Sequence, residues 1–206
     1  MEKVRLAIVF YSKSGTNYQL ATWAEQAGLE AGAEVRLRRV AELAPQAVID
    51  SVPEWKAFTE KIAHIPEVSL DDLEWADSFI FSTPTRFGNM TSQMRQFLDT
   101  TGPIWAAGKL ANKTVSAMTS AGNPHGGQES TLLSLYNTMY HWGAIIVPPG
   151  FTDASISKAG GNPYGLSVTI DQTGKIVEDA RDAVFYQTKR TVQFAQWIKA
   201  GREALA

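Results

Sequence analysis

The chain has 206 residues, of which 44% are hydrophobic and 19% are charged, a composition that supports one folded core and excludes wholesale disorder. Its 19 basic and 21 acidic residues give a net charge of -2, which argues against a general nucleic-acid binder and against an electron carrier that docks by charge alone. Because the chain has no cysteine, disulfides, thiol nucleophiles and cysteine-ligated clusters are excluded, and its three histidines lack metal-ligand spacing.

The sequence shows no targeting segment and no stretch that predicts a membrane span. The apolar run after Arg5 is too short for a secretion signal, and no window holds 18 apolar residues. We therefore expect a cytoplasmic protein without a transmembrane helix.

Five apolar segments alternate with amphipathic segments along the chain. Residues 5–11 form a continuous apolar run that is typical of a strand buried on both faces. Further strands are predicted at 33–40, 78–82, 114–119 and 144–147. Apolar residues at helical spacing follow the first, third, fourth and fifth strands. We expect Gly32 to end the first helix and Gly102–Pro103 to close the helix that follows the third strand.

The alternation of strands and helices predicts the fold class. Right-handed βαβ units build a parallel, doubly wound α/β fold of three layers, here with a five-stranded sheet in the order 2-1-3-4-5. Two segments fit this pattern less well and are interpreted as insertions. The segment 41–76 predicts two short helices, one around Trp55 and one capped at Ser69, and the segment 151–179 is rich in loops. No linker interrupts the chain, so residues 1–206 are predicted to form one domain.

Three predicted strands end in polar loops, at residues 12–17, 83–89 and 120–128. In doubly wound sheets, ligands bind outside the carboxyl ends of the strands, where the strand order reverses. The order 2-1-3-4-5 brings these three loops side by side at that edge. Their arrangement is the strongest functional signal in the sequence.

The first loop has the composition of a site for a terminal phosphate. It offers the hydroxyls of Ser12, Ser14 and Thr16, a flexible Gly15, and a helix immediately afterwards. The N–H groups and the dipole at a helix N-terminus favour an anion. Neither G-x-x-x-x-G-K-[ST] nor G-x-G-x-x-G is present, so a monophosphate is favoured over a nucleoside triphosphate or a dinucleotide. An ordinary strand–helix turn remains the alternative, because serine, glycine and asparagine favour turns.

The second loop suits a flat, polar heterocycle. Thr85, Arg86 and Phe87 supply a hydroxyl, a cation and an aromatic ring, and Gly88 makes the backbone amides accessible. The alternative for these side chains is a core position for Phe87 and a solvated position for Arg86.

The third loop and two further residues complete the set of candidates. The glycines of the third loop let the backbone approach a ligand closely, and a flexible crossing loop is the alternative: Gly122, Gly126 and Gly127. His141 ends its helix after Tyr140, where a lone histidine is more often structural than catalytic. Trp105 is either a core residue or an exposed wall of a pocket.

Several motifs together resemble the WrbA-type NAD(P)H:quinone oxidoreductases, which are flavodoxin-like FMN proteins. The matching stretches are 84–90 (PTRFGNM), 93–95, 97–99, 126–129, 147–148 and 160–165. PTRFGNM is specific for this family, whereas the Ser-x-Ser-Gly-Thr pattern is shared with flavodoxins generally. The resemblance extends from about Val4 to the final helix, and it implies a flavodoxin-like fold.

The resemblance implies that all three loops bind FMN. The phosphate would be held by Ser12, Lys13, Ser14, Gly15, Thr16 and Asn17. The isoalloxazine ring would face Pro84, Thr85, Arg86, Phe87, Gly88 and Asn89, with Ser120, Ala121, Gly122, Asn123, Gly126 and Gly127 along its other side. His141 would lie near the flavin as the candidate catalytic residue. Trp105 and Phe87 would line the substrate pocket, which a neighbouring chain completes in a homotetramer.

The activity implied by the resemblance is a two-electron reduction of quinones. FMN would take a hydride from NADH or NADPH and pass it to a quinone in a ping-pong sequence. Neither nucleic acid nor a metal ion has a part in this activity. Two alternatives stay open: a flavodoxin-like FMN electron shuttle, and a non-enzymatic binding protein that regulates a transcription factor.

Overall fold

The computed structural model describes residues 2–205 and shows a parallel β-sheet with helices on both faces. In this part of the chain the strands are β1 Arg5–Phe10, β2 Glu34–Arg39, β3 Ser78–Pro84, β4 Thr114–Ala121, β5 Ile145–Ile146 and β6 Leu166–Thr169. The helices are α1 Thr16–Glu30, α2 Gln46–Asp50, α3 Pro53–Lys61, α4 Leu70–Trp75, α5 Ser92–Asp99, α6 Gly102–Ala106, α7 Gln128–Trp142, α8 Ala154–Lys158 and α9 Arg181–Leu205. Within residues 2–205, none of the helices combines the length and apolar character that a membrane span requires.

The strand order is β2-β1-β3-β4-β5, which confirms the predicted doubly wound topology. The far edge of the sheet contains one strand more than expected. Thr114 and Val115 at the start of β4 pair with β5, whereas Met118 to Ala121 pair with β6. Because β3 pairs with the other edge of β4 along nearly its whole length, β5 and β6 share one edge in succession.

Side chains of β1 alternate between two separate cores. Leu6, Ile8 and Phe10 pack in one core with α1 and α9, whereas Ala7 and Val9 pack in the other with α5 and α7. Full burial of a large apolar side chain contributes roughly 1.5–3 kcal/mol, and a register slip of one residue would exchange the two faces. The cores therefore fix the register that brings the carboxyl ends of β1, β3 and β4 to one edge.

Some elements differ from the sequence-based expectation. The glycine and proline at 102–103 were expected only to close a helix, but α5 already ends at Asp99 and Gly102–Ala106 forms α6. Proline is tolerated in a first helical turn because its missing N–H has no intrahelical partner there. The helix predicted after Ser69 is confirmed as α4, and Ser69 and Asp72 form a capping box. The short elements α2, α8 and β6 lie in the two segments interpreted as insertions.

Candidate functional site

The three polar loops lie side by side at the carboxyl edge of the sheet, because β1, β3 and β4 are neighbours. The buried side chain of Asn17 ties them together. Its Nδ2 donates to Ser82 Oγ at 3.1 Å, and its Oδ1 accepts a hydrogen bond from Ser120 Oγ at 2.6 Å. The backbone N–H of Thr85 donates to the Ser120 carbonyl at 2.8 Å. The predicted residue Asn17 therefore has both side-chain polar atoms engaged within the protein.

Two helices begin at this edge without a cap. α1 follows Gly15 and α7 follows Gly127, and both glycines have positive φ angles, of 103° and 88°. Neither helix start has a side chain that accepts its N–H groups, and the first turn of α1 carries no acidic residue. The first N–H groups of a helix have no intrahelical partner, so these donors are left for a ligand.

A small cavity of about 60 Å³ lies in front of the start of α1. All six predicted phosphate-loop residues except Gly15 line it. The complete lining is Ser12, Lys13, Ser14, Thr16, Asn17, Pro84, Arg86, Ser120 and Ile170. Hydroxyls, a lysine, a guanidinium and unpaired helix N–H groups form a donor set that suits an anion. Sequence reasoning missed Ile170, whose signal is weak because it lies in the irregular segment 151–179.

The second loop is a tight turn closed by Arg86 and Asn89. These residues exchange two backbone hydrogen bonds of 2.7 and 2.9 Å, and Phe87 and Gly88 between them have φ angles of 50° and 75°. Positive φ at both central residues defines a type I′ turn, and it is unfavourable for a phenylalanine. The Phe87 ring is nevertheless fully exposed, so it is not a core residue. Such strain combined with an exposed aromatic ring is typical of a binding site.

The third loop packs closely on the second. A Cβ at Gly127 would lie 2.7 Å from the Gly88 Cα, so this approach requires a residue without a side chain. Ser130 Oγ donates to the Gly88 carbonyl at 2.9 Å. A Cβ at Gly126 would lie 2.6 Å from the Ala121 Cβ, whereas Gly122 has open space around it. The glycines at 126 and 127 are therefore needed for packing within the protein.

Other predicted residues serve to shape the loops. Thr85 Oγ1 lies 2.9 Å from Thr119 Oγ1, so its hydroxyl is engaged between β3 and β4. Arg86 Nη1 donates to the Thr85 carbonyl at 2.9 Å. The Oδ1 atom of Asn123 accepts from the backbone N–H of His125 at 3.0 Å and so holds the turn of the third loop.

A partly buried polar network that the sequence did not reveal lies near Arg86 of the second loop. Tyr11 Oη donates to Glu42 Oε2 at 2.7 Å, and Gln93 Nε2 donates to Glu42 Oε1 at 2.7 Å. Burial opposes ionisation of Glu42, but the hydrogen bonds from Gln93, Tyr11 and two backbone N–H groups hold its pKa below the usual value. Burial and the neighbouring carboxylate raise the pKa of Tyr11. Glu42 was missed because the segment around it shows no periodic pattern.

His141 and Trp105 do not lie with the three loops of their own chain. α7 starts at the carboxyl edge of the sheet, and His141 follows Gln128 by 13 residues, which places it about 20 Å along the helix, toward the opposite edge. Trp105 in α6 is half-exposed, and its Nε1 donates to the His141 carbonyl at 2.6 Å. The structure therefore brings these two predicted site residues together, but at the other end of the sheet.

The arrangement suits an anion and a flat ring but offers little chemistry of its own. The predicted site contains no nucleophile paired with a base, and nowhere in residues 2–205 do three potential metal-ligating side chains come together.

Comparison with known proteins identifies relatives that are named for FMN or NAD(P)H. The family model for NADPH-dependent FMN reductase matches residues 6–157. A relative from Deinococcus radiodurans, named NAD(P)H dehydrogenase (quinone), is 56% identical over 190 residues, covering 92% of this chain and 94% of that protein. A relative of the same name from Aromatoleum aromaticum is 38% identical over 208 residues, covering 98% and 100% of the two chains.

Solved structures show the same fold. A WrbA-like flavodoxin from Agrobacterium tumefaciens matches 95% of this chain and 99% of its own with a TM-score of 0.63 and 17% identity. The two-electron reduced flavodoxin of Megasphaera elsdenii matches with a TM-score of 0.55 and 16% identity, over 91% and 98% of the two chains. Identities this low carry information about the fold alone, which is flavodoxin-like.

Proposed function

The chain belongs to the NADPH-dependent FMN reductase family, and on this premise we propose that it reduces quinones to hydroquinones with FMN as its cofactor and NADH or NADPH as hydride donor. The observation that carries the proposal is the convergence of two uncapped helix starts and a strained, exposed Phe87 at one edge of the sheet. These features support a phosphate site and a ring site side by side.

The residues present fit FMN. The hydroxyls of Ser12, Ser14 and Thr16 and the first N–H groups of α1 would hold its phosphate in the small cavity, where no acidic side chain opposes a dianion. Lys13 adds positive charge, although its Nζ lies 4.3 Å from the centre of the Trp55 ring. The second and third loops, 84–89 and 120–127, would enclose the ring from two sides.

The protein contributes position and electrostatics, and the bound flavin supplies hydride transfer from NAD(P)H to a quinone. Within residues 2–205, the N–H groups of Phe87 and Gly88 have no backbone acceptor. They and the guanidinium of Arg86 provide positive charge beside the ring position. The exposed Phe87 ring offers a flat surface against which a quinone or a nicotinamide can stack.

A second copy of the chain would complete the substrate pocket. Trp105 and His141 lie away from the loops of their own chain, so they serve a flavin site only if a neighbouring chain presents them to it. Exposed apolar side chains of Leu133, Tyr140 and Phe151 supply surface for such an association. We propose a homotetramer in which His141 hydrogen-bonds the quinone oxygen. The cytoplasmic location stays a prediction.

The test is an anaerobic titration of the FMN-loaded protein. We expect NADPH or NADH to bleach the flavin absorbance in one two-electron step and benzoquinone to restore it. Steady-state rates at varied NADPH and quinone should give parallel double-reciprocal lines, as one shared site demands. If NAD(P)H leaves the flavin unchanged and dithionite reduction halts at the one-electron level, the electron shuttle is the better description. A protein that binds no FMN would refute the proposal.

A further inference from the structure

A second cavity of about 360 Å³ opens on the outer side of the phosphate loop. It lies between the start of α1, the end of α3 and the turn at 171–175. Ser14 and Thr16 line both this outer cavity and the small inner one. The inner cavity also reaches Arg86 and Ser120 on the other two loops, whereas the outer cavity reaches neither. An FMN that contacts all three loops, as proposed above, would place its phosphate in the inner cavity and leave the outer one for another ligand.

The outer cavity carries two lysines and no acidic side chain. Lys61 comes from the end of α3 and Lys175 from the turn at 171–175. Within residues 2–205, neither ammonium group has a carboxylate within 4.0 Å, whereas Lys56 on the same helix pairs with Asp50 at 3.2 Å. The Asp171 carboxylate, next to the cavity, accepts backbone hydrogen bonds from Thr173 and Lys175 and also attracts the charge of Lys175. The cavity therefore presents a net positive charge, which the neighbouring Asp171 offsets in part at Lys175.

Two aromatic rings form the apolar wall of the same cavity. Tyr18 and Phe58 meet edge to face with ring centres 6.0 Å apart. The Phe58 ring lies against Gly15, where a Cβ would be 3.5 Å from it. A ligand that combines a phosphate with a flat base matches two lysines next to two rings.

We propose that the outer cavity binds the 2′-phosphoadenosine end of NADPH, and that Lys61 and Lys175 select NADPH over NADH. The 2′-phosphate is the chemical difference between the two donors, and it is the group that an unpaired lysine pair can distinguish. This inference rests on the proposed function, because it assigns the donor of the same flavin site. Neither lysine was among the residues that the sequence singled out.

The test compares the wild type with a Lys61→Gln/Lys175→Gln double variant, both loaded with FMN. Calorimetry with adenosine 2′,5′-bisphosphate and with 5′-AMP measures the preference for the 2′-phosphate without turnover. We expect the wild type to prefer the bisphosphate roughly tenfold and the double variant to lose that preference. The KM for NADPH should rise roughly tenfold while kcat and the KM for NADH stay unchanged. Lys56→Gln, on the same helix but outside the cavity, should change none of these values.

Two results would overturn the inference. One is an unchanged preference and an unchanged KM for NADPH in the double variant. The other is a weakened FMN affinity in that variant, which would assign both lysines to the flavin phosphate. Lysine-dependent binding of the bisphosphate in a wild-type protein that transfers no hydride to quinones would instead uphold the cavity and remove the proposed function.

Discussion

The two edges of the parallel sheet differ in whether their polar groups have hydrogen-bond partners within the protein. At the carboxyl edge, α1 and α7 begin after glycines with positive φ, and no side chain accepts their first N–H groups. At the amino edge, Asp77 accepts hydrogen bonds from the backbone N–H of Arg5 and from Lys199 Nζ, both at 2.9 Å. The carboxyl edge therefore has helix N–H donors without side-chain acceptors, whereas at the amino edge the Asp77 carboxylate accepts hydrogen bonds from Arg5 and Lys199.

This difference separates binding from stability. An N-cap side chain contributes about 1 kcal/mol to stability, so each helix start without such a cap lacks about that much stabilisation. Side-chain caps are present at α4, α5 and α8, from Ser69, Thr91 and Asp153, and the short helices α2, α3 and α6 lack them as α1 and α7 do. Substitutions at the carboxyl edge should therefore change cofactor affinity, and substitutions at the amino edge should change stability.

Thr16→Asp should have the largest effect. It puts a carboxylate in the first turn of α1, facing the inner cavity. Repulsion should weaken FMN binding at least roughly 100-fold, because like charges in contact cost several kcal/mol. The same charge interacts favourably with the helix dipole, so the melting temperature of the apoprotein should stay the same or rise. Fluorescence titration with FMN and a thermal melt measure both.

Thr16→Asn is the matched control for that substitution. It has nearly the same shape without the charge, and FMN affinity should fall only a few-fold. If Thr16→Asp binds FMN as well as Thr16→Asn does, no dianion occupies the inner cavity.

Gly127→Ala should lower both stability and FMN affinity, because it strains the contact between the second and third loops. The added Cβ meets the Gly88 backbone, and alanine is unfavourable at φ 88°. We expect the free energy of unfolding to fall by about 2 kcal/mol and FMN affinity to fall with it. Gly108→Ala is the control: this glycine also has a positive φ, of 69°, but a Cβ there would meet nothing within 4 Å. Equal losses of FMN affinity in both variants would contradict the close contact.

Asp77→Asn should lower stability without changing FMN affinity. Burial opposes the charge on Asp77, but hydrogen bonds from Arg5 and Lys199 hold its pKa below the usual value. We expect a loss of about 1–2 kcal/mol at neutral pH, measured by urea unfolding. Glu74→Gln, which breaks the exposed pair with Lys109, should cost less than about 1 kcal/mol.

The pH dependence of Asp77→Asn has a defined sign. Because the folded pKa of Asp77 is depressed, its stabilisation is present above the unfolded pKa of about 4 and is lost as the pH falls through the folded pKa. The wild type should therefore lose more stability than the variant below about pH 4. Parallel stability profiles for the two proteins would show that Asp77 does not contribute in this way.

The smallest expected signal comes from mixing two variants with defects at opposite edges. Thr16→Asp lacks the flavin site, and a Trp105→Ala/His141→Ala variant lacks the residues assigned to the neighbouring chain. After the two are unfolded and refolded together, about a quarter of the sites should combine an intact loop edge with an intact partner. Quinone reduction should recover to about that fraction of wild type. If the mixture is no more active than the two variants assayed separately, Trp105 and His141 do not act across chains.

The sequence was sufficient to predict the loop edge of the sheet. Residues 5–11 are continuously apolar, and polar loops follow the first, third and fourth strands, so the topology rule for doubly wound sheets brings those loops together. It was not sufficient for β6, whose four residues pair with β4 but carry too short an alternation to be distinguished from loop.

Contacts between segments that are distant in the sequence could not be predicted either. Tyr11, Glu42 and Gln93 belong to three different segments, and only the tertiary fold brings them together. The distance of His141 from the loops was in principle predictable, because a helix rises 1.5 Å per residue and the histidine lies near its end. Whether it serves a second chain cannot be deduced from one helix.

The most direct test of the account is the affinity of the apoprotein for FMN compared with riboflavin, which has the same ring but no phosphate. If the uncapped start of α1 and its hydroxyls form a phosphate site, FMN should bind at least roughly 100-fold more tightly, and Thr16→Asp should remove most of that difference. Equal affinity for FMN and riboflavin would contradict the assignment of the carboxyl edge as an anion site.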